Sequence, residues 1–257
     1  MGEKRELVAV ADLLLDVATS LMGAGSHTAR VVRSVSRMAG AFGYEIFITV
    51  FQKNMTMMVR KQGCTESITL VRSTKHMALN FRIVSELSSL SWSTLDHKLT
   101  LEQAREHYEE IMAQPRLSRW IVLILVAFAN ASFCKLFEGD FISCAMVFVA
   151  TLVGFYVRQE LMARDVPHTI VFVVSAFIAS MIAGLCYLNG WGTTPDTAMA
   201  TSVLFLVPGV PLINSIMDVL EGHVLTGISR MVNATTLIVS ISIGFMFTLL
   251  CFGIEKL

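Results

Sequence analysis

An asparagine and an aspartate lie four residues apart in a stretch that is otherwise apolar enough to cross a bilayer. Asn214 and Asp218 fall on one face of the helix predicted after the PGVP tetrapeptide at residues 208–211. A carboxylate is expensive to keep in a membrane segment, so acids there usually bind a proton, a cation or a basic partner. Asp218 is therefore a candidate proton or cation site, with a structural salt bridge as the alternative.

The PGVP tetrapeptide interrupts the apolar run from Ala198 to His223. Backbone groups that lose their partners in lipid are costly unless protein or water satisfies them, so a double-proline break is tolerated where it faces a bundle interior or a cavity. The residues Thr194, Pro195 and Asp196 form a helix-start signature, and we expect that helix to run to the break. We expect a second half-helix to begin at Pro211, with free N–H groups that could hold a carboxylate.

Two basic side chains follow the aspartate. His223 or Arg230 could form an ion pair with Asp218 or Glu221, and for His223 a structural role is the alternative. The predicted substrate- or ion-binding residues are Pro208, Gly209, Pro211, Asn214, Asp218 and His223.

Composition predicts an integral membrane protein with two parts. Of the 257 residues 54% are hydrophobic and 16% are charged, and the formal net charge of zero gives no indication of nucleic-acid binding. Most charged residues precede Trp120, and long apolar runs follow it. We expect a cytoplasmic α+β domain at residues 1–115 and a transmembrane helical domain at residues 116–257.

Periodicity in the first 115 residues predicts a small α+β unit. Apolar residues repeat at helical spacing between 7 and 21, and Ser26 or Thr28 could cap a second helix that ends at Gly43. Three short segments between residues 45 and 71 predict antiparallel strands, the first two joined by a turn at Lys53 and Asn54. Helical periods return at residues 76–90 and 100–114, the latter with Thr100 and Gln103 in capping-box positions.

Three arginines lie on one face of the second helix. Arg30, Arg33 and Arg37 are spaced three and four residues apart. This basic face could contact anionic lipid headgroups or an anionic ligand, and a solvated surface is the alternative.

No catalytic or cofactor-binding pattern stands out in the sequence. His76, His97 and His107 are not spaced as metal ligands, and the glycines at residues 23–25 follow a helix where a nucleotide-binding loop would follow a strand. We therefore expect no enzyme activity, no cofactor and no metal site.

The second part of the chain predicts about five transmembrane segments, one of them broken at the PGVP motif. With the N-terminus in the cytoplasm, five basic residues near the ends of these segments fall on the cytoplasmic side and two fall outside, which is the distribution that the positive-inside rule favours. If the broken segment is re-entrant, four segments cross and the C-terminus moves inside. The predicted unbroken spans are residues 120–137, 141–157, 168–188 and 231–252; the arginines predicted to be cytoplasmic are Arg116, Arg119, Arg158, Arg164 and Arg230, against Lys135 and Lys256 outside.

Three stretches resemble the threonine/serine exporter family: residues 23–43, 119–140 and 194–230. The last of them, which contains PGVP, is the most specific. The resemblance is to the split form of the family, in which a larger YjjP-type subunit works with a small YjjB-type membrane partner. It implies export across the bacterial inner membrane, of threonine and serine in the family at large and of small dicarboxylates such as succinate in the split pair.

Residues and resemblance together predict a subunit of a secondary exporter of small carboxylates in the bacterial inner membrane. A five-span half is small for a complete carrier, and the chain holds no second PGVP, so self-association or a partner subunit is implied. Two alternatives remain open. One is an amino-acid exporter subunit, and the other is a membrane-tethered sensor or hydrolase that acts through residues 1–115.

Overall fold

The structure is a computed structural model that describes residues 2–51, 54–74, 77 and 79–253. Ten helices and three strands are assigned within these ranges. In chain order they are α1 Gly2–Gly23, α2 Thr28–Ala41, β1 Tyr44–Val50, β2 Asn54–Lys61, β3 Ser67–Ser73, α3 Phe81–Asp96, α4 Leu101–Ala113, α5 Arg119–Leu136, α6 Phe141–Ala163, α7 His168–Asn189, α8 Pro195–Thr201, α9 Gly209–Leu220 and α10 Val224–Phe252, with a 3₁₀ helix at Leu204–Leu206.

Contacts divide the chain into two units, which are described separately. The first unit comprises Met1–Pro115 together with Val210–Val232, and the second comprises Arg116–Gly209 together with Asn233–Leu257. Residues 210–232 therefore group with the N-terminal part of the chain, although hydropathy had placed them in the membrane part. The division into folding domains at residue 115 stays a prediction.

The first unit packs helices against a three-stranded antiparallel meander with the order β1-β2-β3. The predicted sheet is confirmed, and Lys53 of its predicted first turn lies outside the described residues. Every second residue of β2 is buried, beginning at Met55, so one face of the sheet joins the core. Leu13, Leu14 and Leu87 are fully buried in the same core cluster, which makes α1 its central helix.

Helix ends in the first unit follow the sequence in part. The capping box predicted at Thr100 and Gln103 is confirmed, since each residue's side chain accepts a hydrogen bond from the other's backbone N–H. The predicted side-chain cap of the second helix is wrong, because the N-cap residue is His27 and its side chain makes no capping hydrogen bond. The third helix begins at Phe81 behind an Asn80 cap; His76, its predicted start, lies outside the described residues.

The second unit contains the helices that could span a membrane, except for residues 224–232 of α10, which belong to the first unit. Four helices, α5, α6, α7 and α10, are long and apolar enough to cross a bilayer, and the count rises to five if the pieces on either side of PGVP form one span. The predicted fold class, a helical membrane protein with an N-terminal α+β region and a broken segment, is confirmed. Small residues allow close helix packing, because a Cβ on Gly244 would lie within 3.0 Å of Ala176.

The break differs from the prediction at both of its ends. The helix that starts at Pro195 ends at Thr201 and is followed by the 3₁₀ turn, so it does not run to PGVP. The next helix begins at Gly209, which corrects the predicted start at Pro211. Proline is tolerated at the third helical position because the first turn has no intrahelical acceptors for its N–H groups.

Asp140 joins two loops of the second unit. Its carboxylate caps α6 by accepting the Ser143 N–H at 2.6 Å and also accepts the Thr193 N–H, while its own N–H donates to Thr194 Oγ1 at 2.9 Å. The hydrogen bonds from Thr193 and Ser143 hold the pKa of Asp140 well below its usual range.

The lowered pKa predicts how Asp140 stabilises the protein at different pH values. A carboxyl whose pKa is lower in the folded state stabilises the fold above its unfolded pKa, about 3.9, and stops doing so as the pH falls. We expect Asp140→Asn to lower the melting temperature by the same amount at pH 6 and pH 8, with a smaller difference below about pH 4. Thermal unfolding across this range checks it, and a difference that grows on acidification would contradict it.

Replacement by alanine should have opposite effects on stability at two glycines of the first unit. A Cβ on Gly227 of α10 would lie 2.7 Å from the Ser215 carbonyl oxygen of α9, whereas a Cβ on Gly40 of α2 would meet no atom within 4 Å. We expect Gly227→Ala to destabilise the protein by about 1–3 kcal/mol through overpacking. Gly40→Ala, the matched control, should stabilise it by about 0.5–1 kcal/mol. Equal effects in chemical unfolding would refute this packing of α9 against α10.

Candidate functional site

The turn between α1 and α2, residues 24–27, is the part of the first unit on which the site is built. Gly25 has a φ of +101°, a conformation that L side chains rarely adopt, and a Cβ there would also collide with the side chain of Leu79. The Ala24 carbonyl accepts the Asn80 N–H at 3.0 Å. The chain therefore turns sharply after α1, which exposes the N-terminal N–H of α2 to groups from elsewhere in the unit.

Asp218 of α9 occupies the N-terminus of α2. It is fully buried, and its Oδ1 accepts a 2.7 Å hydrogen bond from the Thr28 N–H, the first of that helix. A helix N-terminus favours a negative charge because its N–H groups lack intrahelical acceptors and carry the positive end of the helix dipole. The helix end that holds a carboxylate is therefore that of α2, where the sequence had pointed to the half-helix after PGVP.

Arg230 of α10 is the cation paired with this carboxylate. Its Nη1 lies 3.2 Å from Asp218 Oδ2, and its Nη2 donates to the Ser26 carbonyl at 3.2 Å and contacts the sulfur of Met22. Oδ2 of Asp218 is buried and accepts no hydrogen bond from the residues that the structure describes. The two charged groups therefore lie close together without a hydrogen bond at Oδ2, and this oxygen could accept one from another donor.

A second ion-pair cluster lies one turn further along. Glu221 accepts hydrogen bonds from Arg33 at 3.1 Å and from His27 at 3.0 Å. Burial raises the pKa of Glu221, but the Arg33 hydrogen bond and the His27 charge outweigh it, so the pKa is lower than usual. Two consecutive residues at the start of α2 therefore bind the two acids. The His27 side chain binds Glu221, and the Thr28 N–H binds Asp218.

Two further hydrogen bonds fix residues 214–226 to the same unit. Asn214 donates to the Gly25 carbonyl at 2.8 Å, and the Thr226 hydroxyl donates to the Val50 carbonyl at the end of β1, also at 2.8 Å. Asn214 and Asp218, four residues apart, thus face the turn together as their spacing predicts. The opposite side of α9 exposes Ile213 to 64%, leaving an apolar face.

The remaining predicted site residues do not join this cluster. Pro208 and Gly209 belong to the second unit, and Pro211 has no polar side chain to contribute. The imidazole of His223 makes no hydrogen bond or ion pair with any residue within the described ranges, so of the two bases predicted as partners of Asp218 only Arg230 pairs with it. Substrate binding by the six predicted residues stays a prediction.

Sequence reasoning missed the turn that receives Asp218. The backbone N–H of Thr28 and the side chain of His27 are separated from their acidic partners by 190 and 194 residues, a distance that no local pattern bridges. One signal was available, because residues 23–43 and residues 194–230 are two of the stretches that carry the family resemblance. In the structure these two stretches supply the two sides of the cluster.

The Arg230 guanidinium has more N–H donors than the contact with Asp218 uses. A guanidinium offers five N–H donors in a planar fork that matches a carboxylate, and Asp218 engages only part of that fork.

Comparison with known proteins now identifies the family. A protein-family model described as "Putative threonine/serine exporter" matches residues 12–251. The chain belongs to the threonine/serine exporter family. A Klebsiella aerogenes protein and an Escherichia coli K12 protein, each named "Probable succinate transporter subunit YjjP", are each 31% identical, the first over 99% of this chain and 98% of its own length, the second over 96% of both. A Mycobacterium tuberculosis "Probable threonine/serine exporter" is 26% identical over 93% of this chain and 46% of its own length. No solved structure matches the chain.

Membership of the threonine/serine exporter family makes the chain a multi-pass membrane protein and points to a transporter. It argues against the membrane-tethered hydrolase alternative. The match to about half of the mycobacterial exporter's length agrees with the idea that some family members are longer than this chain.

The buried pair predicts strong coupling between its two members. Asp218→Asn or Arg230→Gln alone should destabilise the exporter by about 3–5 kcal/mol, because each leaves a buried charge without its partner. The double variant should lose much less than the sum.

A double-mutant cycle in chemical unfolding measures this coupling. The matched control is the exposed pair of Glu45 and Arg60, 2.6 Å apart, whose coupling should stay below about 1 kcal/mol. Additive effects at Asp218 and Arg230 would show that the pair does not form.

Proposed function

We propose that this chain is the larger subunit of a secondary exporter of small carboxylates, most specifically a C4-dicarboxylate such as succinate. The proposal assigns it to the bacterial inner membrane, with the N-terminal part in the cytoplasm and a small YjjB-type subunit as its partner. The names of the two relatives that match over nearly their whole length support the substrate class and the need for a second subunit.

The incompletely bonded pair of Asp218 and Arg230 is the observation that carries the proposal. A substrate carboxylate can replace Asp218 as the partner of the Arg230 guanidinium, because Oδ2 of Asp218 makes no hydrogen bond within the described residues. The Thr28 N–H still compensates the charge of Asp218 when Arg230 turns to the substrate.

Protonation of Asp218 would complete the exchange. A neutral carboxyl no longer attracts Arg230, so proton binding at Asp218 and anion binding at Arg230 favour each other. We infer that Asp218 carries the coupling proton and that Arg230 binds the exported anion. Asn214 positions α9 through its bond to Gly25.

Export of threonine or serine is the second candidate, and the same pair gives it a physical basis. A zwitterionic amino acid presents a carboxylate for Arg230 and an ammonium for Asp218, so an acid and a base 3.2 Å apart complement it. The printed names of the family and of the mycobacterial relative support this reading. A dicarboxylate would instead leave Asp218 facing a like charge unless that residue is protonated.

Efflux from proteoliposomes distinguishes the two candidates. The chain and a YjjB-type partner are reconstituted together and separately, and release of labelled succinate and threonine is measured across pH. We expect partner-dependent succinate efflux that Arg230→Lys slows about tenfold or more, because lysine keeps the charge and loses the fork. Asp218→Asn should remove the pH dependence.

The exposed Arg60→Gln serves as the charge-matched control and should leave efflux unchanged. Threonine efflux without succinate efflux would select the second candidate. No partner-dependent flux of either compound would refute the exporter proposal.

A further inference from the structure

A groove between α2 and α3 in the first unit collects the three arginines of the basic face. It has a volume of about 440 Å³, and its lining includes Arg30, Arg33, Arg37, Phe81, Ser88 and Trp92. The arginines come from one helix, and the aromatic and hydroxyl side chains come mainly from the other. Its volume falls in the range of small-molecule sites, which bring apolar walls and a few charged groups together.

The positive charge of the groove is only partly compensated. Arg33 pairs with Glu221, while Arg30 and Arg37 form no ion pair with any acid in the part of the chain that the structure describes. Like charges on one helix face repel one another, so three arginines in a row are unfavourable without an anion nearby. A bound anion would remove that repulsion.

Arg37 is held in place for a planar anionic ligand. Its guanidinium carbon lies 3.6 Å from the centre of the Trp92 ring, and its Nη1 donates to Ser91 Oγ at 2.6 Å. Stacking fixes the plane of the guanidinium and leaves most of its N–H groups free to bind a carboxylate in a fork. Phe81 and Trp92 expose 60% and 52% of their surface, which offers apolar contact to the carbon skeleton of an organic anion.

Arg33 connects the groove to the cluster around the α1–α2 turn. The same guanidinium lines the groove and holds Glu221, which lies three residues after Asp218. An anion that binds Arg33 must compete with Glu221, so occupation of the groove weakens one of the contacts between α2 and the segment that follows α9.

We propose that the α2–α3 groove is a binding site for a small organic carboxylate and that the bound anion competes with Glu221 for Arg33. The site is separate from the pair of Asp218 and Arg230. It does not depend on which compound the exporter carries. Binding of a soluble anion in the groove therefore weakens the Arg33–Glu221 contact, which helps to hold α9 in the first unit.

Trp92 provides a direct probe of binding to the groove. The chain has three tryptophans, and replacing Trp120 and Trp191 by phenylalanine leaves Trp92 alone in the full-length protein. In detergent solution its fluorescence should change saturably as succinate is added, because the anion binds the guanidinium that lies against the ring and changes the charge next to the indole. Arg30→Gln and Arg37→Gln should weaken the apparent affinity at least about tenfold, the loss expected for one charge-assisted hydrogen bond.

A gain of affinity separates competition from misfolding. Glu221→Gln frees Arg33 and should tighten succinate binding several-fold, whereas Glu110→Gln, an equal change of charge at an exposed acid, should leave it unchanged. Arg5→Gln, which removes an exposed arginine from α1, is the control for the arginine variants.

Four results would overturn the proposal. The first is that succinate causes no saturable change in fluorescence, and the second is that Arg5→Gln and Arg30→Gln have equal effects. The third is a fluorescence change seen only in nanodiscs that contain anionic lipid, which would make the groove a site for lipid headgroups. The fourth is binding of inorganic phosphate as tight as that of succinate, which would refute the carboxylate assignment.

Discussion

The packing of the first unit depends on compensating the charge of one fully buried carboxylate on α9. Asp218 is taken out of water completely, and an isolated charge in such a place would destabilise the fold by far more than a typical protein's total stability. Two groups compensate it, the first N–H of α2 and the guanidinium of Arg230. Because these come from opposite ends of the sequence, the carboxylate ties residues 210–232 to the N-terminal helices. The sharp turn at Gly25 and the close packing of α9 on α10 both serve this contact.

This arrangement suits a switch better than a permanent support. A buried ion pair contributes little net stability, since desolvation offsets most of the attraction, but its two members respond strongly to a proton or a competing ion. Arg33 forms a comparable ion pair with Glu221, and its guanidinium also lines the α2–α3 groove. Both acids that follow PGVP are thus held by groups that an anionic ligand could attract.

Local patterns predicted most of the elements, but they did not predict the helix ends at PGVP or the contacts of the site. Period-two repeats predicted the sheet, long apolar runs predicted the spans, and the Thr100 and Gln103 spacing predicted a capping box, because each signal comes from residues that are close together in the sequence. The helix cap at Ser26 or Thr28 was wrong since the capping group, Asp218, comes from a distant helix. Hydropathy placed residues 210–232 with the membrane spans, and it could not indicate that their polar side chains find partners in the α1–α2 turn.

Hydrogen exchange at the Thr28 amide tests the central contact most directly. This N–H has no intrahelical acceptor, so its protection depends on the Asp218 carboxylate. The account predicts slow exchange at this amide in the wild-type protein, and in Asp218→Ala exchange at least about tenfold faster at this amide than at the amides of β2, whose remaining protection shows that the core is folded. Unchanged protection at Thr28 in Asp218→Ala would show that the carboxylate does not hold α9 to the α2 N-terminus.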